Sequence, residues 1–283
     1  MEDLLNECRS IRRDVFLAAS VAGTAHLASA FSCVEMLYAL YCGGVLRYRA
    51  DDPAWPGRDR FVLSKGHGSL ALYAVLQHAG LIDRETLMTF CRPGSLLGGE
   101  PNMRELPWVE ASTGSLGHGL ALACGMALAL SHTCDGGADP ARVYVLVGDG
   151  ECEEGSIWEA AMTAHKYGLD NLTVLLDHNG IQKMDTVQNI GGVTDWAARF
   201  AAFGWDCTAC DGHDVAALCR ALSGGGGGKP RLIDAHTVKG RGLSLMENDP
   251  AWHWRMPNRK ETKVFLSELG ITQEELDACK KRI

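Results

Sequence analysis

Two runs, VYVLV at 143–147 and LTVLLD at 172–177, are apolar at almost every position instead of at alternate ones. A strand built this way offers neither face to water, so both faces of its sheet must be covered. That is the signature of a parallel sheet held between helical layers, and the remaining patterns agree with it. FVLS (61–64), WDCTAC (205–210) and RLIDAHT (231–237) read as further strands. Apolar spacing predicts helices over 4–22, 33–41, 67–80, 119–131, 154–167, 194–202 and 213–222. The alternation predicts an α/β fold, a doubly wound parallel sheet with helices on both faces. One domain is expected over residues 1–283, with irregular stretches at 43–60, 91–113 and 241–260. Thr272 and Glu275 predict a capping box opening a short last helix over 271–281. The run Gly224–Gly228 reads as a flexible connector ahead of a strand.

The 283 residues are 46% hydrophobic, ample for a large core. The net charge is −8, from 35 acidic and 27 basic side chains, and no basic stretch is interleaved with aromatics, which argues against a nucleic-acid partner. The opening MEDLLNECRSIRRDVF lacks the pattern of a secretion signal, and no apolar run nears the roughly 20 residues that span a bilayer. No membrane association is expected. Of eleven scattered cysteines only Cys207 and Cys210 form a C-x-x-C pair, with no second pair or histidine at zinc spacing. Ordinary buried thiols in a reducing compartment are expected, with the cytoplasm as the natural address.

In open parallel α/β sheets, ligands gather beyond the carboxyl ends of the strands. Three loops should meet there: Gly148–Glu154, Asp177–Ile181 and Thr237–Gly242. Asp149, in GDGECEEG, and Asn179, in DHNGI, then stand at the ends of two strands expected to be neighbours. A carboxylate, an amide oxygen and a main-chain carbonyl make a hard-oxygen set that suits Mg²⁺ and leaves positions for phosphate oxygens. The plainer alternative is that both residues only cap turns. In STGSLGHGL (112–120), Gly114, Gly117 and Gly119 allow close approach of backbone to a ligand, and free N–H groups at the helix start favour an anion. Neither segment has GxGxxG spacing, which disfavours a nicotinamide dehydrogenase. His67 lies between glycines in SKGHGSLALY, where an imidazole can donate to phosphate or carry a proton near neutral pH. On local pattern His26 reads as a core histidine, and His253, in WHW, as surface aromatic packing.

Together and in this order, these segments resemble the amino-terminal half of transketolase, a thiamine-diphosphate enzyme, from about residue 10 to residue 260. The resemblance implies that Asp149, Asn179 and the carbonyl of Ile181 hold Mg²⁺, and that Gly150 touches the diphosphate. His67 matches a diphosphate contact of the family. Gly114, Ser115 and Leu116 match the segment that lies against the cofactor's two rings, and Ser29 and Lys239 also fall at cofactor positions. His26 and His253 match histidines of the substrate channel, His253 also lying near the diphosphate. Glu154 matches a glutamate at the family's subunit interface, part of a relay between two cofactors. The implied activity moves a two-carbon ketol unit from a ketose donor to an aldehyde acceptor.

Two departures narrow this reading. Full-length transketolases are more than twice as long, and their activating glutamate lies in the next domain. The chain therefore resembles the amino-terminal subunit of a split transketolase, expected to need a separate carboxy-terminal subunit that supplies that glutamate, two copies of each, and to be inactive alone. The family's usual G-H-P is also replaced by GGEP, putting Glu100 where a substrate-facing histidine is expected, and WHW replaces W-H-G, putting Trp254 beside His253. Three readings stand: an ordinary two-component transketolase, a thiamine-diphosphate transferase of a specialised pathway with unusual substrates, and a non-catalytic scaffold.

Overall fold

The computed structural model describes residues 2–132, 141–192, 195–224 and 227–281. Among them five strands form one wholly parallel sheet: β1 (Arg60–Leu63), β2 (Val143–Gly148), β3 (Leu172–His178), β4 (Asp206–Asp211) and β5 (Arg231–His236), in the order β1-β2-β3-β5-β4. The two fully apolar runs are β2 and β3, the inner strands, buried along almost their whole length. Edge strand β4 is largely exposed, and its sequence is accordingly mixed.

Each face has its own apolar layer. Leu146, Leu175 and Ile233 point toward the helices Glu2–Ala22, Val34–Tyr41, Ser69–His78 and Val215–Ser223. Val145, Val147, Val174 and Leu176 point toward the helices Gly119–Ser131, Gly155–Lys166 and Trp196–Ala202. Strand alternation sends neighbouring side chains to opposite layers. It also explains the C-x-x-C pair: Cys207 packs on the second layer and Cys210 on the first, so the two thiols diverge across β4 and remain free. Cys134 and the middle of the glycine run, Gly225 and Gly226, lie outside the described residues.

Several expectations shift in detail. The helix expected from His67 starts at Ser69, after a tight turn over Gly66–Gly68. The helix Arg259–Leu269 has no counterpart in the periodicity reading. Asn258 and Glu261 form a complete capping box at its start, and Phe265, Leu266 and Leu269 bury against the core. At the last helix, Gln273–Lys281, only half of the expected box forms. The Glu275 amide donates to Thr272 Oγ1 at 3.1 Å, while the Glu275 carboxylate turns to Arg13. No helix among the described residues is long and apolar enough to cross a membrane.

Candidate functional site at the strand ends

A cavity of about 270 Å³ opens over the carboxyl ends of β2 and β3, where the sheet geometry puts the loops Gly148–Glu154 and Asp177–Ile181 side by side. Asp149, Gly150, Asn179, Ile181, Ser29, His26, His67, Glu100, Gly114, Leu116, Lys239 and His253 all line it. The closing loops come from six places in the chain, which only the fold can join. Two further expected residues, Ser115 and Glu154, do not line it. Ser115 is exposed, between Gly114 and Leu116, which do line it. Glu154 stands exposed on the surface at the start of the helix Gly155–Lys166.

At the cavity floor is a buried ionic pair. The Lys65 ammonium donates to Asp177 Oδ2, to the Ser29 carbonyl at 3.0 Å and to Ser32 Oγ at 3.3 Å. Ser32 donates back to Asp177 at 2.6 Å, and Thr237 donates to the other oxygen. Burial alone would push the Asp177 carboxyl up, but Lys65 and these donors outweigh it and hold it below its ordinary value. For Lys65 burial works downward and Asp177 overrides it, raising the ammonium. Glu151, also buried, fixes the loop before the small-residue helix: its carboxylate accepts from Ser64 Oγ at 2.5 Å, the Gly117 amide at 2.9 Å and the Gly148 amide at 3.1 Å. Gly119 is required here, since a Cβ would lie 2.7 Å from the Ser64 Cα. Lys65, Glu151, Gln182 and Lys183 are cavity residues that the motif reading did not single out. SKGHG and GDGE carry the first two in plain view, but nothing local marks them as cavity-facing.

Above this floor the charges are not closed. Asp149 is 1% exposed. Its oxygens accept the Gly150 amide at 2.8 Å and the Gly180 amide at 2.5 Å, and no ion pair among the described residues reaches it. Burial, then the nearby Asp177, push its carboxyl up to about 6. The Ile181 carbonyl faces the cavity and accepts from Lys239 Nζ at 2.9 Å. Burial, with Lys65 close by, brings Lys239 down to about 8. His26, His67 and His253 form a triangle, with ring centroids 5.3 to 5.7 Å apart. Burial, reinforced by the lysines, lowers all three: His253 falls to about 3, His67 well below its ordinary value, and His26 less. At neutral pH they are imidazoles, able to accept as well as donate. Trp254 is 66% exposed and stacks on His26 at 5.8 Å.

Glu100 lies where the sequence reading put it, at the cavity wall. A Cβ on Gly66 would meet its Oε2 at 2.4 Å, and one on Gly114, whose φ is +140°, would meet its Cγ at 3.1 Å. That oxygen and Ser29 Oγ are buried without a hydrogen-bond partner. Burial pushes the Glu100 carboxyl up to about 7.

These features suit a diphosphate held by a dication. The set Asp149, Asn179 and Ile181 offers hard oxygens, and a dication would relieve an uncompensated buried carboxylate. The Ile181 carbonyl already carries a cationic group. Ser29 and Lys239 present polar groups to the same space.

A thiamine-diphosphate-binding α/β fold is the class that sheet and cavity define, and comparison with known proteins agrees. Residues 3–280 match the family described as transketolase, thiamine diphosphate binding domain. An apulose-4-phosphate transketolase subunit of Phocaeicola vulgatus is 38% identical, covering 90% of each chain. A 6-deoxy-6-sulfo-D-fructose transketolase subunit of a Clostridium species is 36% identical, over 94% of this chain and 96% of its own. Human transketolase is 36% identical over 95% of this chain but only 42% of its own length. Transketolase of Campylobacter jejuni superposes with a TM-score of 0.85 at 27% identity, covering all of this chain and 45% of the other. The chain thus spans less than half of the solved transketolases it matches. It belongs to the transketolase family, and its likeness to these transketolase subunits over nearly their whole length makes it an amino-terminal subunit of the split, transketolase-like transferase kind.

Proposed function

We propose that this chain grips Mg²⁺ and the diphosphate of thiamine diphosphate, and that with a separate carboxy-terminal subunit it moves a two-carbon ketol unit from a ketose to an aldehyde. The observation that carries the proposal is the buried Asp149 carboxylate, without an ion pair, beside Asn179 and the inward-facing Ile181 carbonyl. Asp149, Asn179 and Ile181 would hold the cation, and Gly150, His67, Ser29 and Lys239 would contact the diphosphate. Gly114, Leu116 and the adjacent Ser115 would lie along the cofactor's rings. Bound there, thiamine diphosphate supplies a carbon nucleophile competent to break a ketose C2–C3 bond. The chain's own part is to orient and to move protons. Neutral His26, His67 and His253 can take a proton from a sugar hydroxyl and return it, because none is held as an imidazolium.

The substrate we propose is not an ordinary pentose phosphate. Glu100 lines the cavity wall, where the resemblance leads one to expect an imidazole, and Trp254 stacks on His26. Two relatives are named for unusual sugars, apulose 4-phosphate and 6-deoxy-6-sulfo-D-fructose, which supports a specialised donor. Those relatives are also named as subunits rather than whole enzymes, which supports a separate partner. Two copies of each subunit would also use the exposed, small-residue side of the helix Gly119–Ser131, where Leu122 is 45% exposed, and would bring Glu154 to an interface. Ten described cysteines are free, which fits the cytoplasm.

Calorimetry of thiamine diphosphate with Mg²⁺ on the assembled complex tests the core of this. Asp149→Ala is expected to abolish binding and turnover; normal cofactor affinity in that variant would remove the assignment, and silence of the wild-type complex would favour a scaffold. Turnover of xylulose 5-phosphate at ordinary rates would remove the specialised donor. Glu100→His is expected to improve use of phosphorylated ketoses.

A further inference from the structure

Strand register collects a second group of donors on the other face of the same sheet end. In the β3–β5 ladder His178 pairs with His236, so their side chains project from adjacent strands toward the same side. Asp234 lies two residues before His236 and therefore shares that side. It is the side of the second apolar layer, where Leu176 and Leu232 pack directly before these polar residues in the strands. Asp177 and its Lys65 network face the opposite layer, so this trio is separate from the charges under the cavity.

The distances are those of convergent ligands. His178 Nδ1 lies 2.8 Å from Asp234 Oδ1, and His236 Nε2 lies 3.8 Å from Asp234 Oδ2. The imidazole rings are 4.7 Å apart, and one ligand atom from each residue lies within 4.8 Å of the others. Ligands about 2.1 Å from a tetrahedral ion stand roughly 3.4 Å from one another, inside this range. Among the described residues this is the one such group of three histidine, cysteine or carboxylate side chains. A lone His178–Asp234 hydrogen bond would account for one carboxylate oxygen. It leaves unexplained why the second oxygen of a buried aspartate is turned toward another imidazole. His236 is 58% exposed, so the fourth side is open to solvent and the ring is free to adjust.

We propose that His178, Asp234 and His236 bind a divalent transition ion of the zinc type. Two imidazole nitrogens and one carboxylate oxygen with an open fourth position form the donor set of an accessible zinc site, and imidazole favours zinc, cobalt, nickel or copper over magnesium. The ion ties the end of β3 to the end of β5 immediately before Asn179, clamping the DHNGI turn from the side away from Lys65.

The experiment uses the full chain, stripped by chelator and kept in saturating Mg²⁺ so that hard-oxygen positions are filled. Co²⁺ is titrated in and followed by its visible absorption. One equivalent is expected to bind with the intensity of a low-coordinate ion, and Zn²⁺ should displace it. His236→Ala, an exposed change that spares the fold, should weaken Co²⁺ more than tenfold, as should Asp234→Asn. His132→Ala should leave it unchanged. Equal affinity in wild type and His236→Ala overturns the proposal, as does failure of wild type to bind Co²⁺. Strong near-ultraviolet thiolate-to-cobalt absorption also overturns it, because the ion would then sit on cysteine.

Discussion

Two layers of buried charge lie a few residues apart at the ends of β2 and β3, and they are built on opposite plans. In the lower one, Lys65, Asp177, Ser32 and Thr237 satisfy one another completely, and the carboxyl is stabilised in its charged form. In the upper one, Asp149 and Glu100 are driven up to about 6 and about 7 by burial, Lys239 is driven down to about 8, and Ser29 Oγ and Glu100 Oε2 lack partners. A closed network specifies structure. An open one keeps donors and acceptors free for a ligand, at the expense of the empty protein's stability.

That contrast breaks first at Asp177. Asp177→Ala strands the Lys65 ammonium in the interior, and loss of one partner of a buried pair is expected to destabilise by about 3–5 kcal/mol, read by urea unfolding. A loss below 1 kcal/mol would mean that the lower layer is not closed. Asp149→Asn should behave oppositely. Cofactor and Mg²⁺ affinity should fall more than 100-fold by calorimetry, while the free chain's melting temperature stays level or rises, because an uncompensated carboxylate has been neutralised. A lowered melting temperature would move Asp149 into the structural class.

The smallest effect is expected at Glu100, and its sign follows from linkage. Its folded value, about 7, lies above the ordinary 4.5, so the folded chain binds more protons than the unfolded one between those values. Its contribution is fully present below pH 4.5 and is lost as pH rises through about 7. Glu100→Gln removes the dependence, so the variant should melt about 2 °C above wild type at pH 8, with the gap closing toward pH 4.5. A constant gap at both pH values would show that Glu100 does not titrate on folding.

Much of the site was legible because its motifs are local. Asp149, Asn179 and His67 each sit in a short glycine-punctuated stretch, and Glu100 was placed by its neighbour Pro101. Ser115 shows what local pattern leaves open: it is exposed, although Gly114 and Leu116 on either side line the cavity. Lys65 and Asp177 are 112 positions apart, and no pattern in either segment announces their pair. The helix Arg259–Leu269 was legible but passed over, since its Asn258 and Glu261 spell a start signal that apolar spacing alone does not use.

Apolar runs by themselves determined the layers, because a strand without a polar side can be stable only when both faces are covered. Short motifs determined which loops could bind an anion and a cation, since glycine and hard oxygens act over one turn of chain. Register decided the rest. Only the pairing of β2 with β3 and of β3 with β5 says which charges meet, and the energy of a buried charge depends on its neighbours in space rather than in sequence.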